Sequence, residues 1–357
     1  MKQYWQRKPL LVRAAVPGLA PLVDRAALFD LAGRDDVESR LVAQTAGGWQ
    51  MRRGPLPRRS LPPLSRPRWT LLVQGVDLHH DGAHALLQQF NFVPGARLDD
   101  LMISYASDGG GVGPHLDSYD VFLLQAQGQR RWRIGRQKDH TLLPDAPLKI
   151  LARFEPEEDY LLAPGDMLYL PPGWAHDGVA QGPCQTYSIG FRAPGRGELV
   201  RELLGRIAED AEESVGQGLY QDRSQPATDA PGAVPEALRD FARAAVQQAL
   251  ARSDILDRAL GEMLTEPKPT VWFEAGTAAD LERGLMLDRR TRMLHDAQHV
   301  FVNGDSWRCS GRDAALMRRL ADRRWLAAGD VARASPAARS LLLAWSEAGW
   351  LHQRSVS

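Results

Sequence analysis

A chain of 357 residues is longer than one ordinary hydrophobic core requires, so we expect two or three domains. Apolar residues at 44% and charged residues at 25% exclude a disordered chain. Because 44 basic residues balance 44 acidic ones, the composition disfavours whole-protein binding to nucleic acid or an anionic membrane, although one domain could still be basic. The two distant cysteines, Cys184 and Cys309, indicate neither a disulfide framework nor a zinc site and favour a reducing cytoplasm.

The first 70 residues are irregular. An apolar run over residues 10–23 is interrupted by one arginine and two prolines, which argues against a membrane span or a signal peptide. Five prolines within residues 52–68 forbid a regular helix and predict an extended, covering segment. Residues 69–75 then read as a buried strand, and residues 81–92 as a helix. We therefore expect a soluble, cytoplasmic protein with no membrane partner.

Residues 97–193 contain short runs of β-forming residues that glycine and proline turns separate. The clearest runs cover residues 101–107, 121–127, 131–135, 161–173 and 186–192. Several short strands at this spacing predict a sandwich or barrel of the jelly-roll type. The expected fold class is therefore α+β with a mainly β core, a double-stranded β-helix.

The pattern becomes helical after Pro194. Apolar residues at helical spacing predict one amphipathic helix over residues 197–214 and a second over about 236–265, with a loop rich in Gly, Pro, Ser and Asp between them. The remainder mixes short strands with helices from Gly311 to Trp325 and from Pro336 to Gly349. This mixture predicts a small, winged-helix-like domain at the C-terminus.

The segment GGGVGPHLDSYD, residues 109–120, carries two candidate metal ligands. Residues i and i+2 of a strand point to the same side, so His115 and Asp117 share one face. The segment PGDMLYLPPGWAH then supplies His176 where a later strand returns to the same pocket. Two histidines and one carboxylate form the facial triad that holds non-haem iron(II) and leaves positions open for an oxoacid and oxygen. A histidine and an aspartate that merely pair at a strand start would not explain the third residue.

A dicarboxylate cosubstrate needs a cation for its remote carboxylate. Arg130 lies on the strand that should run beside the ligand strand, and a planar guanidinium binds a carboxylate through two parallel hydrogen bonds. Its neighbours Arg131 and Arg133 have the opposite strand parity and should face outward or pack elsewhere, so parity selects Arg130. Ser104 and Thr186 could add hydroxyl contacts, although each is more often an ordinary strand residue.

These residues resemble the JmjC-type branch of the cupin superfamily, and more narrowly the bacterial ribosomal oxygenases. The likeness rests on residues 99–135, 164–178 and 187–194, and it extends to 39–55, 69–77 and the helical and C-terminal regions. The resemblance implies iron(II) at His115, Asp117 and His176, with 2-oxoglutarate at Arg130 and O2 as the second cosubstrate. Many JmjC relatives have a lysine where this chain has Arg130.

The resemblance also implies how the chain is organised. Residues 1–195 would form a JmjC-type jelly-roll oxygenase domain with its N-terminal cover, 196–268 a helical homodimerisation region, and 269–357 a winged-helix-like domain. Two amphipathic helices without an obvious partner sheet agree with a homodimer, and the alternative is that they pack on their own barrel. The small positive charge of the last domain favours protein docking or a structural role, so we expect no direct nucleic-acid binding.

The implied reaction is hydroxylation of an arginine β-carbon in ribosomal protein uL16, with decarboxylation of 2-oxoglutarate to succinate. An arginine substrate needs an acidic or aromatic group near the metal. Tyr119 and Asp120 are the nearest candidates in sequence, although an aspartate there can equally cap a turn. Three alternatives remain open: histidine hydroxylation of a ribosomal protein, demethylation of methyl-lysine, and a metal-binding cupin sensor without turnover.

Overall fold

The computed structural model of the protein describes residues 2–354. The chain divides after Ala193 into two compact units, and each is described by itself. Within the described residues, no helix is both long and apolar enough to cross a membrane.

The first unit is built around one large antiparallel sheet. Its strands are β1 (Leu10–Val12), β2 (Ser39–Thr45), β3 (Gly48–Arg53), β4 (Trp69–Val73), β5 (Leu98–Ala106), β6 (His115–Leu116), β7 (Asp120–Gly135), β8 (Glu158–Leu162), β9 (Met167–Leu170) and β10 (Ala175–Phe191). They follow the order β1-β9-β7-β10-β5-β4-β2-β3, with β6 paired to β10 and β8 paired to β7. Two short helices complete the unit, α1 (Arg25–Leu31) and α2 (Asp81–Gln88).

The long strands β7 and β10 pair along almost their whole length and form the centre of the jelly roll. Gly128 lies within β7 with a φ of +63°, and a Cβ there would lie 2.3 Å from the Pro183 carbonyl oxygen. Only glycine fits this close approach, which accompanies the irregular register between Gln181 and Gln185 of β10. The two strands can therefore bend round the site while remaining paired.

The predicted N-terminal cover is more regular than expected. Residues 39–53 form the β2–β3 hairpin, which is stable here because β2 also pairs with β4. Ahead of it, β1 pairs with β9, and the Trp5 ring stacks on Tyr169 at 5.5 Å between centroids. The segment therefore extends the sheet at both edges, which depends on long-range pairing that local sequence patterns do not reveal.

The second unit combines helices with two small sheets. Its helices are α3 (Arg196–Glu209), α4 (Ala211–Val215), α5 (Glu236–Leu250), α6 (Ser253–Thr265), α7 (Gly311–Arg323), α8 (Ala328–Val331) and α9 (Pro336–Glu347). Its strands are β11 (Leu285–Leu287), β12 (Met293–His295), β13 (His299–Val302), β14 (Asp305–Arg308), β15 (Trp325–Leu326) and β16 (Leu351–Gln353). They form the three-stranded sheets β15-β11-β16 and β12-β13-β14.

Two predicted helices are each divided in the structure. The helix expected over 197–214 breaks at Asp210, and the one expected over 236–265 breaks at Arg252, whose backbone leaves the helical region. The second break separates α5, which buries no residue, from α6, which packs on β13. Gly261 permits that packing, because a Cβ there would lie 2.3 Å from the Phe301 ring.

Asp288 anchors the two ends of the winged-helix core. Its carboxylate accepts hydrogen bonds from the Arg290 side chain and from His352 Nε2. Burial alone would raise the pKa of Asp288, but the bonds from Arg290 and His352 outweigh it and lower that pKa to about 2. The carboxylate is therefore charged and bonded across the whole physiological pH range.

Candidate active site

His115, Asp117 and His176 come together at one end of the jelly roll. Their ligand atoms all lie within 4.8 Å of one another, and among residues 2–354 this is the one group of metal-ligand type that does so. Asp117 Oδ2 lies 3.5 Å from His176 Nε2, and Asp117 Oδ1 lies 3.9 Å from His115 Nε2. Strand β6 carries His115 and pairs with the start of β10, which places His115 directly opposite His176.

Both imidazoles are held in one tautomer by backbone carbonyls. His115 Nδ1 donates to the Gly113 oxygen at 2.9 Å, and His176 Nδ1 donates to the Trp174 oxygen at 3.0 Å. The Nε2 lone pairs therefore face Asp117, as in histidines that bind a metal. Burial and the adjacent His115 lower the pKa of His176, and Asp117 opposes this only in part, so the imidazole is neutral and able to coordinate a cation.

Three glycines, at positions 109–111, allow the loop before His115 to pack closely against neighbouring strands. A Cβ at Gly110 would lie 2.3 Å from the Trp69 oxygen, and one at Gly111 would lie 2.6 Å from the Gly178 oxygen. The backbone of Gly110 also accepts a hydrogen bond from Ala180, which in turn accepts from Gly109. The glycine run thus has a structural reason, since it brings the chain flush against β10 and delivers His115 to His176.

Arg130 points into the jelly roll, as its strand parity predicts. It is only 5% exposed, and its Nη1 donates to Ser104 Oγ at 3.3 Å. Its Nε and Nη2 are buried and have no hydrogen-bond partner among the described residues. A buried guanidinium with two unsatisfied donors is costly without an anion, which is the chemistry of a carboxylate-binding pocket. Its neighbour Arg131 instead pairs with Asp159 at the surface.

The two predicted hydroxyl residues differ in their availability. Ser104 and Thr186 face each other across β5 and β10, and both are buried. Ser104 contacts Arg130 directly and donates to the Thr186 carbonyl oxygen. The Thr186 hydroxyl donates to Gln125 Oε1 at 2.8 Å, so it offers the pocket only its acceptor lone pairs.

Trp132 is a site residue that the sequence analysis missed. Its ring lies 5.9 Å from the His176 ring between centroids, and the Arg130 guanidinium lies 5.6 Å from it. Trp132 pairs with Gly178 on β10, where a Cβ would lie 2.6 Å from the indole. Trp132 has the same strand parity as Arg130, so the sequence did indicate that its side chain faces the same side. The sequence of a single strand does not show, however, that a glycine of the neighbouring strand lies opposite Trp132.

The two predicted substrate residues have different environments. Tyr119 is 40% exposed, and partial burial together with the carboxylates of Asp117 and Asp100 raises its pKa, so its hydroxyl stays protonated. Asp120 is fully buried, and its oxygens accept from Tyr169 at 2.6 Å, Gln6 at 3.0 Å and Arg97 at 3.1 Å. The Asp120 carboxylate is therefore engaged within the protein, and its position in strand β7 turns it toward the N-terminal cover, which it anchors.

Asp100 is a buried carboxylate on β5, outside the segment that carries His115 and Asp117. It is 3% exposed, shares the face of Ser104 on β5, and accepts hydrogen bonds from Gln74 Nε2 at 2.9 Å and Gly75 N at 3.1 Å. Its charge acts on Tyr119. Asp100 could not be identified as a candidate from the sequence, because it is distant from His115 along the chain and β5 meets the site only after the sheet has formed.

The fold and this cluster together define a class of protein, a JmjC-type member of the cupin superfamily. A JmjC domain model matches residues 85–199, and a ROXA-like winged-helix model matches residues 245–352. Both the resemblance and the fold class predicted from the sequence are thereby confirmed, including the jelly roll and the winged helix.

The chain belongs to the ribosomal oxygenase family. It is 33% identical over 318 residues to ribosomal protein uL16 3-hydroxylase of Escherichia coli (strain K12), an alignment that covers 85% of this chain and 83% of that protein. It is also 36% identical over 204 residues to a probable ribosomal oxygenase of Haemophilus influenzae, covering 56% of this chain and 50% of that one.

Solved structures agree over nearly the full length. The crystal structure of E. coli ycfD superposes with a TM-score of 0.86 at 29% identity, covering 99% of this chain and 96% of that one. A structure of the same E. coli ribosomal oxygenase in complex with cobalt and 2-oxoglutarate gives a TM-score of 0.84 at 28% identity, covering 99% and 97%.

Proposed function

We propose that this protein is an iron(II)- and 2-oxoglutarate-dependent oxygenase that hydroxylates an arginine side chain of ribosomal protein uL16 at its β-carbon. The observation that carries the proposal is the pairing of two features in one pocket. One is the His115, Asp117 and His176 cluster, and the other is the buried Arg130 with two unsatisfied donors. A metal site alone would fit many cupins, whereas a buried carboxylate receptor beside it fits an oxoacid cosubstrate.

The residues present fit both groups. Two imidazoles and one carboxylate form the donor set that iron(II) takes in facial-triad oxygenases, and Arg130 with Ser104 would hold the remote carboxylate of 2-oxoglutarate. Thr186 would accept a hydrogen bond in the same pocket. When bound, iron(II), 2-oxoglutarate and O2 supply the oxidising chemistry, in which 2-oxoglutarate is converted to succinate.

The protein itself contributes a rigid apolar lining that keeps water away from one side of the pocket. The apolar side chains that pack inside the jelly roll beside the site are Val121, Leu123, Trp132, Ile134, Leu162, Leu168 and Leu170. Their packing excludes water from the interior around Trp132. Trp132 also restricts the orientation of Arg130 and His176, because its ring lies within 5.9 Å of both groups.

For the substrate, we propose that Asp100 and Tyr119 contact the arginine guanidinium. Asp100 is oriented by its hydrogen bonds from Gln74 and Gly75, and Tyr119 lies close enough to both Asp100 and Asp117 to be influenced by their charges. A carboxylate and a protonated phenol beside the metal would hold a cation at a fixed distance from the triad. Asp100→Asn should raise KM for a uL16 peptide at least tenfold and leave the KM for 2-oxoglutarate within twofold.

The deciding experiment is mass spectrometry of ribosomal proteins and of a uL16 peptide after incubation with enzyme, iron(II), 2-oxoglutarate and oxygen. We expect a gain of one oxygen atom on one arginine, absent with His115→Ala. A gain on a histidine would assign the alternative hydroxylase, and loss of a methyl group from lysine would assign a demethylase. Failure to consume 2-oxoglutarate would leave a metal-binding cupin without turnover.

We also propose the domain bounds 1–195, 196–268 and 269–357 and a homodimer built from the middle helices. Support for the dimer comes from apolar residues that α3 and α5 leave in solvent, namely Val200 (57%), Leu204 (44%), Phe241 (42%), Val246 (59%) and Leu250 (46%). Light scattering should give twice the chain mass and a monomer for Val246→Glu. Leu219→Glu, in the loop before α5 and 85% exposed, is the matched control and should stay dimeric. A ribosomal substrate supports action in the cytoplasm.

A further inference from the structure

One stretch of the first unit is far from neutral. Residues 45–76 contain six arginines and neither an aspartate nor a glutamate, although the whole chain carries no net charge. We call these six residues, Arg52, Arg53, Arg58, Arg59, Arg66 and Arg68, the arginine strip. The zero net charge of the whole chain does not reveal the arginine strip, because the compensating acidic residues lie elsewhere in the chain.

All six side chains of the arginine strip are exposed. Among residues 2–354, none of them forms an ion pair with a carboxylate. Elsewhere in the same unit arginines are neutralised: Arg131 pairs with Asp159, and Arg133 pairs with Asp177. An unpaired series of guanidinium groups produces a positive field that reaches about 10 Å into solvent at moderate ionic strength.

The strip is held in place rather than free to sample many conformations. Its prolines restrict the backbone, Leu56 is buried, and Leu56 N donates to the Ala32 oxygen. Arg52 donates to the Ser60 oxygen at 2.7 Å, which folds the segment back on β3, and the Arg58 guanidinium lies 4.5 Å from the Phe29 ring centroid. Fixed guanidinium groups lose less entropy when they bind an anion.

The strip also lies close to the candidate active site. It begins on β3, the edge strand of the sheet, and Trp49 of that strand packs against Gly113, two residues before His115. A partner bound along this edge would therefore be beside a substrate that enters the metal pocket.

We propose that the arginine strip binds the phosphate backbone of RNA that surrounds the substrate protein. This proposal replaces the expectation of no direct nucleic-acid binding, which rested on the net charge of the chain and of its last domain and not on a local cluster. This inference rests on the proposed function, because a ribosomal protein is presented together with ribosomal RNA. The substrate itself is a poor occupant, since an RNA-binding protein carries positive charge and would be repelled. Guanidinium groups recognise phosphates bidentately and without sequence preference, which suits a strip of exposed arginine side chains.

The test measures binding of a fluorescein-labelled RNA stem–loop of about 24 nucleotides to the full-length protein by fluorescence anisotropy, at potassium chloride from about 50 to 200 mM. The test variant replaces Arg53, Arg59 and Arg66 with glutamine, since none of the three makes a side-chain contact that folding needs. We expect affinity at the lowest salt to fall at least tenfold. The slope of log affinity against log salt should fall by about 2–3, close to one per lost phosphate contact.

The matched control replaces three exposed arginines of the second unit, Arg196, Arg223 and Arg312, with glutamine and should bind RNA like the unaltered protein. Test and control variants that weaken binding equally would overturn the assignment, as would a test variant within twofold of the unaltered protein. Polyglutamate that competes as well as RNA of equal charge would assign an acidic protein instead. Turnover of a short uL16 peptide should be unchanged in the test variant, and its absence in every variant would instead remove the proposed function.

Discussion

Replacing Arg130 with methionine should abolish cosubstrate binding and yet stabilise the protein when no cosubstrate is present. Methionine fills a similar volume without a charge. In the structure the Arg130 guanidinium is buried, contacts Ser104 Oγ at 3.3 Å, and leaves Nε and Nη2 unsatisfied. A residue kept for folding would not be left in this state, so the cost must be recovered when an anion binds.

The expected magnitudes follow from those two unsatisfied donors. Two charge-assisted hydrogen bonds contribute about 1.5–3 kcal/mol each, so their loss should cost about 3–6 kcal/mol of 2-oxoglutarate binding. That range corresponds to a Kd between about a hundredfold and about twenty-thousandfold weaker. Removing the buried charge should meanwhile raise the free energy of unfolding of the first unit by about 1–3 kcal/mol without ligand.

The assay is calorimetric titration of 2-oxoglutarate into the cobalt(II)-loaded protein, together with thermal unfolding of the metal-free protein. Arg131→Met is the matched control, because Arg131 is adjacent in sequence but pairs with Asp159 on the outer face. It should change neither quantity appreciably. An Arg130→Met protein that is less stable and binds 2-oxoglutarate normally would refute the reasoning, since Arg130 would then be a structural residue.

Three further predictions concern particular contacts. Asp120→Asn should lower the free energy of unfolding by about 2–4 kcal/mol in chemical denaturation, because the buried carboxylate anchors the N-terminal cover. The KM for the substrate should be unchanged. A change in KM without loss of stability would instead support a substrate-binding role for Asp120. Gly178→Ala should displace the Trp132 indole, because the new Cβ would lie 2.6 Å from it. In the calorimetric titration described above, 2-oxoglutarate should bind at least tenfold more weakly. Unchanged binding would show that the Trp132 ring has no role in binding the cosubstrate. The lowered pKa of Asp288 should stabilise the second unit by about 1–2 kcal/mol above pH 4, and this stabilisation should be lost as the pH falls from 3.8 towards 2. In unfolding curves followed by circular dichroism, Asp288→Asn should remove this dependence of stability on acid pH. A dependence that persists in the variant would assign it to another group.

Several features of the site could be predicted from local sequence alone. Alternation within a strand is a geometric property of the backbone, so the parity of Arg130 against Arg131 and Arg133 correctly separated the buried Arg130 from the exposed Arg131 and the half-buried Arg133. The glycine run before His115 likewise indicated a close backbone approach. The spacing of His115, Asp117 and His176 indicated three residues that could meet, and the structure does bring them together.

Other features depended on pairs that are distant in sequence. Asp120 follows the predicted ligand strand directly, which made it a candidate, but its partners Gln6, Arg97 and Tyr169 come from three other segments. Asp100 was missed for the converse reason, because β5 reaches the site only through its pairing with β10. The helix break at Arg252 also follows from tertiary packing, since α6 turns to bury its apolar face while α5 does not.

The sequence by itself determined the jelly roll, the class of site, and which face of each strand carries its chemistry, because these follow from backbone periodicity and short spacings. Only the tertiary structure decided that the charge of Asp100 acts on Tyr119, that Gly178 makes room for Trp132, and that Arg130 keeps two unsatisfied donors. Burial and hydrogen-bond satisfaction are properties of the whole packed chain, so no local pattern contains them.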